Sequence, residues 1–197
     1  MLNIIAIRNW LELQVTRVYS RMIGPSFRHY APSRVHPTTR FDNPQHIRLA
    51  GVSIGRWCWI YAITGDTAGN FYVPELSIGK STQIGDYCHI TCAKRLTIGR
   101  DVLMGQGILI SDNTHVYSDP TTPIHSQGIT STPMSIGDGS WIGNHAAIIG
   151  CSVGRHCVVG ANAVVTRDVP DYCIVAGSPA RIIKRYDAET REWVRSS

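Results

Sequence analysis

Branched apolar residues recur at six-residue intervals through much of the chain, commonly with glycine next. Ile54-Gly55 is an isolated first unit. Ile78-Gly79, Ile84-Gly85 and Ile90-Thr91 form one run, and Ile98-Gly99, Met104-Gly105 and Ile110-Ser111 form another. Beyond residue 134 the spacing resumes with Ile136-Gly137, Ile142-Gly143 and Ile148. It continues, offset by one residue, with Val153-Gly154, Val159-Gly160 and Val165. Such a period fits no helix, but it suits a short strand followed by a corner. Three units close a triangular coil of about 18 residues, and stacked coils place each branched residue over its counterpart inside a prism. Glycine suits a corner where a Cβ would crowd the turn. Four positions after the branched residue the side chain is small, as at Cys58, Thr82, Cys88, Ala146, Cys157 and Ala163.

The ends follow other patterns. Ile4, Ile7, Leu11, Val15, Val18 and Met22 recur at three and four residues, which predicts an amphipathic helix over residues 2–22 with Arg8, Arg17 and Arg21 off the stripe. Such a helix either caps the open end of the prism, whose strand edges need cover, or rests on an anionic membrane. Pro25, Pro32, Pro37 and Pro44 mark an extended connection. The expected organisation is therefore a helix and basic connection over residues 1–50, a prism over 51–184 and a short helix over 185–197 that includes Trp193.

Composition narrows the class. The 197 residues, 43% hydrophobic and 17% charged, suffice for one buried core, and no stretch approaches the roughly 20 apolar residues of a spanning helix. The net charge of +5 lies wholly in residues 1–50, where seven arginines face only Glu12 and Asp42. Basic residues are not interleaved with exposed aromatics across a nucleic-acid-binding fold, so nucleic acid is not an expected partner. The N-terminus lacks an uninterrupted apolar h-region and an Ala-x-Ala site, and a reducing cytoplasm is the expected compartment. Cys58, Cys88 and Cys157 then read as small inward-facing hydrophobes, and Cys92, Cys151 and Cys173 as reduced thiols.

The repeat stops between Ile110 and Ile136, where a polar, Pro- and Gly-containing segment over 111–134 leaves the prism. Irregular excursions from a regular scaffold commonly carry function. His115 stands at its mouth, and imidazole, with an unperturbed pKa near 6.5, is a competent base at neutral pH.

The [Ile/Leu/Val]-Gly-x-x-small-x runs over residues 52–184 resemble the hexapeptide-repeat transferases. That resemblance implies an all-β left-handed parallel β-helix, assembled as a homotrimer, that uses acetyl-CoA or another acyl-CoA. Asp112-Asn113-Thr114-His115 resembles the Asp-x-x-His signature of sugar and polysaccharide O-acetyltransferases. It implies His115 as the general base that deprotonates an acceptor hydroxyl, with Asp112 and Asn113 as candidates for orienting the ring. His125, in the same loop, is a further acceptor contact. Ser140-Trp141-Ile142-Gly143-Asn144 and Gly160-Ala161-Asn162-Ala163-Val164-Val165-Thr166-Arg167 resemble the family's coenzyme A groove, which lies between adjacent prisms. The match implies main-chain N–H donors at Asn144 and Ala161, Trp141 as a wall near the sulfur, and Thr166 and Arg167 toward the pantetheine and phosphates. Ala176-Gly177-Ser178-Pro179-Ala180-Arg181 resembles the closing motif, with Arg181 and Lys184 as phosphate partners. The segment Ile148-Ile149-Gly150-Cys151-Ser152-Val153 is one residue short of the family pattern, which leaves the alignment of Asn144 with Ala161 open. Two other readings remain. A gamma-class carbonic anhydrase shares the prism but needs a zinc-binding histidine where this chain has Ile149, and no metal is expected. A non-catalytic trimeric scaffold would instead use the basic N-terminus to bind membrane or glycan.

Overall fold

The computed structural model describes residues 4–196, with the main chain alone for Ile4. Three parallel faces build a triangular prism. Face A stacks His29–Ala31, Ile47–Ala50, Glu75–Ile78, Arg95–Ile98 and Met134–Ile136, and single bridge pairs extend it to Val153 and Val169. Face B stacks Arg34–Val35, Ser53–Ile54, Gln83–Ile84, Leu103–Met104, Trp141–Ile142, Val158–Val159 and Cys173–Gly177. Face C stacks Arg40–Asp42, Trp59–Ala62, His89–Cys92, Leu109–Ser111, Ala147–Ile149 and Val164–Val165. The chain visits A, B and C in turn, so each circuit is one coil.

The six-residue spacing has the predicted cause. Ile54, Ile84, Met104, Ile142, Val159 and Val175 pair rung to rung on face B and are all buried, as are Ile60, Ile90, Ile110, Ile148 and Val165 on face C. Completely burying one such side chain contributes about 1.5–3 kcal/mol. The small position also lies inside: Cys58, Thr82, Cys88, Ala146, Cys157 and Ala163 are at most 2% exposed. Among the described residues all six cysteines are free and buried. At the corners the coils nearly touch, and a Cβ on Gly143 would stand 2.6 Å from the Ala161 nitrogen.

The missing residue leaves the register intact. Ile136 still meets Val153, Trp141 meets Val158 and Ile148 meets Val165. The shortening is absorbed at the C-to-A corner, where Gly150 adopts φ 62°, a conformation that glycine takes at little cost. Asn144 and Ala161 are therefore successive rungs of one corner, and the Asn162 N–H donates to the Asn144 carbonyl at 2.9 Å.

Both ends differ from expectation. The segment read as an extended connection forms a coil of the prism. His29–Ala31, Arg34–Val35 and Arg40–Asp42 pair in parallel with the next coil, and Val35 is fully buried. It lacks the apolar-Gly signature because its pairing is satisfied from one side only. Phe27 plugs this end against Phe41, with ring centroids 4.9 Å apart.

The expected C-terminal helix is a β-hairpin. Ala180–Asp187 runs antiparallel along Cys173–Gly177, and Glu192–Arg195 returns beside it. The cause is the open edge of the last face B strand, whose unpaired main-chain groups the hairpin satisfies. Trp193 packs edge-on to Tyr186 at 5.5 Å.

The helix α1 (Ile4–Ile23) forms as predicted, while residues 2 and 3 and the Ile4 side chain lie outside the described residues. It caps the first coil through the face that carries Thr16, Tyr19, Ser20 and Ile23, with Thr16 and Ser20 buried and Tyr19 and Ile23 packed against the core. The buried Ser20 hydroxyl donates to the Thr16 carbonyl at 2.7 Å and accepts the Val35 N–H at 2.9 Å, closing the free edge. The apolar stripe faces outward, with Ile7, Leu11, Val15, Val18 and Met22 all exposed. No described helix is long and apolar enough to cross a membrane.

Candidate active site

The excursion after the fourth coil is a braced hairpin. Asn113–His115 pairs antiparallel with Ile129–Ser131, placing His115 opposite Ile129. Asp112, 1% exposed, anchors its base: its carboxylate accepts the main-chain N–H groups of Ala93, Lys94 and Arg95 at 2.7–3.1 Å and the Asn113 side-chain amide at 3.0 Å. Asn113 also donates to the Thr91 hydroxyl at 3.2 Å. Both ring-orienting candidates thus spend their hydrogen bonds on the scaffold. The His115 side chain is exposed and, among the described residues, forms no hydrogen bond. The loop tip is tied by Asp119, whose carboxylate accepts from Thr121 and Thr122 and whose pKa is thereby held down at about 2.

A second excursion, over residues 63–74, escaped sequence reading. It leaves the same C-to-A edge two coils earlier and carries Asp66, which clamps the two loops together. The Asp66 carboxylate accepts the Tyr72 hydroxyl at 2.6 Å, the Asn70 side chain, and the Ile129 N–H at 3.2 Å, directly opposite His115 in the hairpin register. The Thr67 hydroxyl donates to the His125 carbonyl, so His125 contributes its main chain to the same clamp while its side chain stays exposed. The only sequence signal was a gap in the period between Ile60 and Ile78. Its hydrogen bonds, Tyr72 first, hold the Asp66 pKa well below the ordinary aspartate range. A depressed carboxylate stabilises the fold above the ordinary value, near 3.9, and loses that contribution as pH falls through the depressed one. Hydrogen exchange should therefore show the Ile129 amide protected to pH values below 4 in the native chain and unprotected in Asp66→Ala. Equal protection in both would remove the clamp.

The proposed donor residues gather elsewhere. Trp141, 52% exposed, stands on the outer surface of face B. Asn144 and Ala161 occupy the B-to-C corner beside it. The Asn144 side chain accepts the Gln106 N–H at 2.9 Å, as Asp86 accepts from Arg56 at the same corner and as Asp138 and Asp171 accept from Arg100 and Arg155 at the A-to-B corner. Above Asn144 stands Ala161, which offers no acceptor, and among the described residues the N–H groups of Asn144 and Ala161 find none. Both residues are exposed, so two unpaired main-chain donors stand on successive rungs of a surface corner.

Arg181 and Lys184 are three apart and would point to opposite sides of a regular strand. A bulge at Ile183 corrects this: Arg181 pairs with Ala176 and Lys184 with Ile174, both outward positions of face B. Thr166 and Arg167 are exposed at the C-to-A corner, the edge from which the His115 hairpin leaves.

One chain therefore divides the predicted site. Trp141, Asn144, Ala161, Arg181 and Lys184 lie on face B or its B-to-C corner, whereas His115, His125, Thr166 and Arg167 lie along the C-to-A edge. Burial pushes the Cys151 thiol up to about 11 and raises those of Cys92, Cys157 and Cys173, which keeps them protonated at neutral pH. Among the described residues no three His, Cys, Asp or Glu side chains gather as metal ligands.

A parallel prism of hexapeptide coils bearing a histidine hairpin defines a class, and the comparisons agree with it. The family model for the hexapeptide repeat of succinyl-transferase matches residues 133–167. The chain is 35% identical over 124 residues to the putative lipopolysaccharide biosynthesis O-acetyl transferase WbbJ of Escherichia coli, covering 59% of this chain and 63% of that protein. It is 30% identical over 135 residues to the putative acetyltransferase YJL218W of Saccharomyces cerevisiae, covering 64% and 68%. The N-acyltransferase AntD from Bacillus cereus, solved with dTDP and coenzyme A, superimposes with a TM-score of 0.72 at 18% identity, covering 88% of this chain and 90% of that one. The chain belongs to the hexapeptide-repeat acyltransferase family. It spans 63% of the length of WbbJ and 45% of the length of a probable acetyltransferase of Mycobacterium tuberculosis.

Proposed function

We propose that the protein is an acyl-CoA-dependent O-acyltransferase, with acetyl as the donor group and a hydroxyl of a sugar or polysaccharide as the acceptor. The observation that carries this reading is the presentation of His115: an exposed imidazole, free of partners among the described residues, on a hairpin whose base and flank are pinned by Asp112 and Asp66. Its relatives' names supply the chemistry, since WbbJ is called an O-acetyl transferase and AntD was solved with coenzyme A.

His115 accepts the acceptor's hydroxyl proton as that oxygen attacks the thioester carbonyl carbon. The carbonyl becomes an oxyanion, held by the free N–H groups of Asn144 and Ala161. Its collapse breaks the C–S bond, and the departing thiolate takes the proton from the imidazolium. Acyl-CoA and acceptor are bound together and no metal enters. Trp141 walls the groove, Thr166 and Arg167 meet the pantetheine and phosphate end, and Arg181 with Lys184 supplies cations to the phosphates. His125 lies at the acceptor side.

The base and the oxyanion donors stand on different edges of one prism. A homotrimer that sets the C-to-A edge of one copy against the B-to-C corner of the next unites them, and supports the assembly inferred from family resemblance. The catalytic prism belongs to the cytoplasm, with peripheral membrane contact through residues 2–22, whose described stripe from Ile7 to Met22 is exposed. The decisive assay is acceptor-dependent release of free thiol from a set of acyl-CoAs across a panel of sugars. The reading predicts release with acetyl-CoA and at least one sugar hydroxyl. No release with any pairing overturns it.

A further inference from the structure

A cleft of about 1170 Å³ runs between α1 and the first three coils, at the end of face B opposite the coenzyme A residues. Its floor is the outward ladder of face B, where Arg34, Ser53 and Gln83 are successive rungs. Its wall is α1, which contributes Arg17 and Arg21 one turn apart, and its mouth is lined by Arg28 and His29. Four arginines and a histidine thus face one space, and no carboxylate lines it.

These charges are largely uncompensated. Among the described residues the side chains of Arg17, Arg21 and Arg34 make no hydrogen bond or ion pair. Arg28 reaches only Glu75 at 3.7 Å, and Glu75 is shared with Arg95 at 3.2 Å. Some surface arginines elsewhere are matched, Arg56 with Glu12, Arg100 with Asp138 and Arg155 with Asp171, while among the described residues Arg48, Arg167 and Arg191 stand singly and are not gathered around one space. The cleft's hydroxyls serve the fold, since Ser20 closes the Val35 edge, Ser33 bonds the Ala31 carbonyl and Thr82 bonds the Gly99 carbonyl. Like charges held around one space repel, and an anion relieves that repulsion. Guanidinium forks on opposing walls fit a tetrahedral oxyanion with several acceptor oxygens better than a single carboxylate.

We infer that this cleft is a binding site for a phosphate- or pyrophosphate-bearing ligand, distinct from the acyl-CoA groove. Two sources offer that group, a soluble phosphate ester and the headgroup of an anionic lipid. The lipid source would join the cleft to the exposed Leu11 and Val15 stripe on the same helix.

The test uses the full chain with inorganic pyrophosphate in calorimetry and with phosphatidylglycerol or phosphatidylcholine vesicles in sedimentation. Pyrophosphate should bind, and Arg17→Ala/Arg21→Ala should weaken it about tenfold or more, the loss of one to two charge-assisted pairs. Arg8→Glu, outside the cleft, changes the net charge by the same two units, should bind as wild type and controls for net charge. Both variants change exposed positions, and unchanged melting with unchanged thiol release separates this site from catalysis. Sedimentation with phosphatidylglycerol that pyrophosphate reverses assigns the lipid source. Pyrophosphate binding without sedimentation assigns the soluble one. Absence of binding to either probe overturns the inference. So does pyrophosphate affinity unaffected in the double variant, or vesicle binding that depends on Leu11 and Val15 alone.

Discussion

His115→Ala should lower turnover by about 10²- to 10⁴-fold, the range for loss of a positioned general base, while the fold and assembly stay intact. The fold survives because the side chain is exposed and bonds nothing within the described residues. The hairpin is held by its main-chain pairing and by Asp112 and Asp66, none of which involves the imidazole. Steady-state kinetics with saturating acetyl-CoA, paired with thermal melting, checks both halves. Turnover within a factor of ten of wild type would remove His115 from the mechanism.

Asp112→Ala has the second large effect, and it is of another kind. The change strips the acceptor from three main-chain N–H groups at a corner where Ala93 is itself buried. Each buried donor left unpaired costs about 1–3 kcal/mol, so the melting temperature should fall by several degrees or more. Turnover falls too, because the hairpin that presents His115 starts at this residue. The pH dependence of kcat/KM separates positioning from direct catalysis. With Asp112 bonded to the 93–95 corner and not to the imidazole, the residual activity should keep the wild-type profile. A displaced acidic limb, the one set by protonation of the general base, would mean that Asp112 faces the ring during turnover.

The contrast between these two residues shows what the sequence could carry. The spacing of Ile, Gly and small residues dictated the prism, because a period of six admits one solution once a core must form. The same logic marked the break at residue 111 and drew attention to His115. The pattern could not show that Asp112 is spent on a neighbouring coil, since residues 93–95 and 112 meet only after a full circuit. Asp66 was hidden for a similar reason: its partner Ile129 is distant in sequence, and a polar loop leaves no periodic trace. The first coil and the terminal hairpin lack the glycine signature because each meets the prism from one side. The stripe on α1 was legible as a helix, but which face would pack was not. The face with Thr16, Tyr19, Ser20 and Ile23 made that contact, since it joins two apolar side chains to a hydroxyl that bonds the free Val35 N–H.

Each free amide at Asn144 and Ala161 likewise has a simple origin: the residue above it carries no acceptor. The same vacancy recurs at Asp86 and Asp138, whose own N–H groups find no acceptor among the described residues, because each side-chain acceptor serves only the rung before it. Unpaired main-chain donors of this kind come from omission, which a motif match can place but cannot explain.

In the proposed mechanism one acyl-transfer site is shared between two copies of this chain. A structure of the assembled protein with acetyl-CoA tests it most directly. The thioester should lie in the groove of face B with its carbonyl oxygen within about 3 Å of the Asn144 and Ala161 amides, and with His115 of a neighbouring copy poised over the reacting carbon. Acetyl-CoA bound along a single chain away from every His115, or held instead in the arginine-lined cleft beside α1, would contradict it.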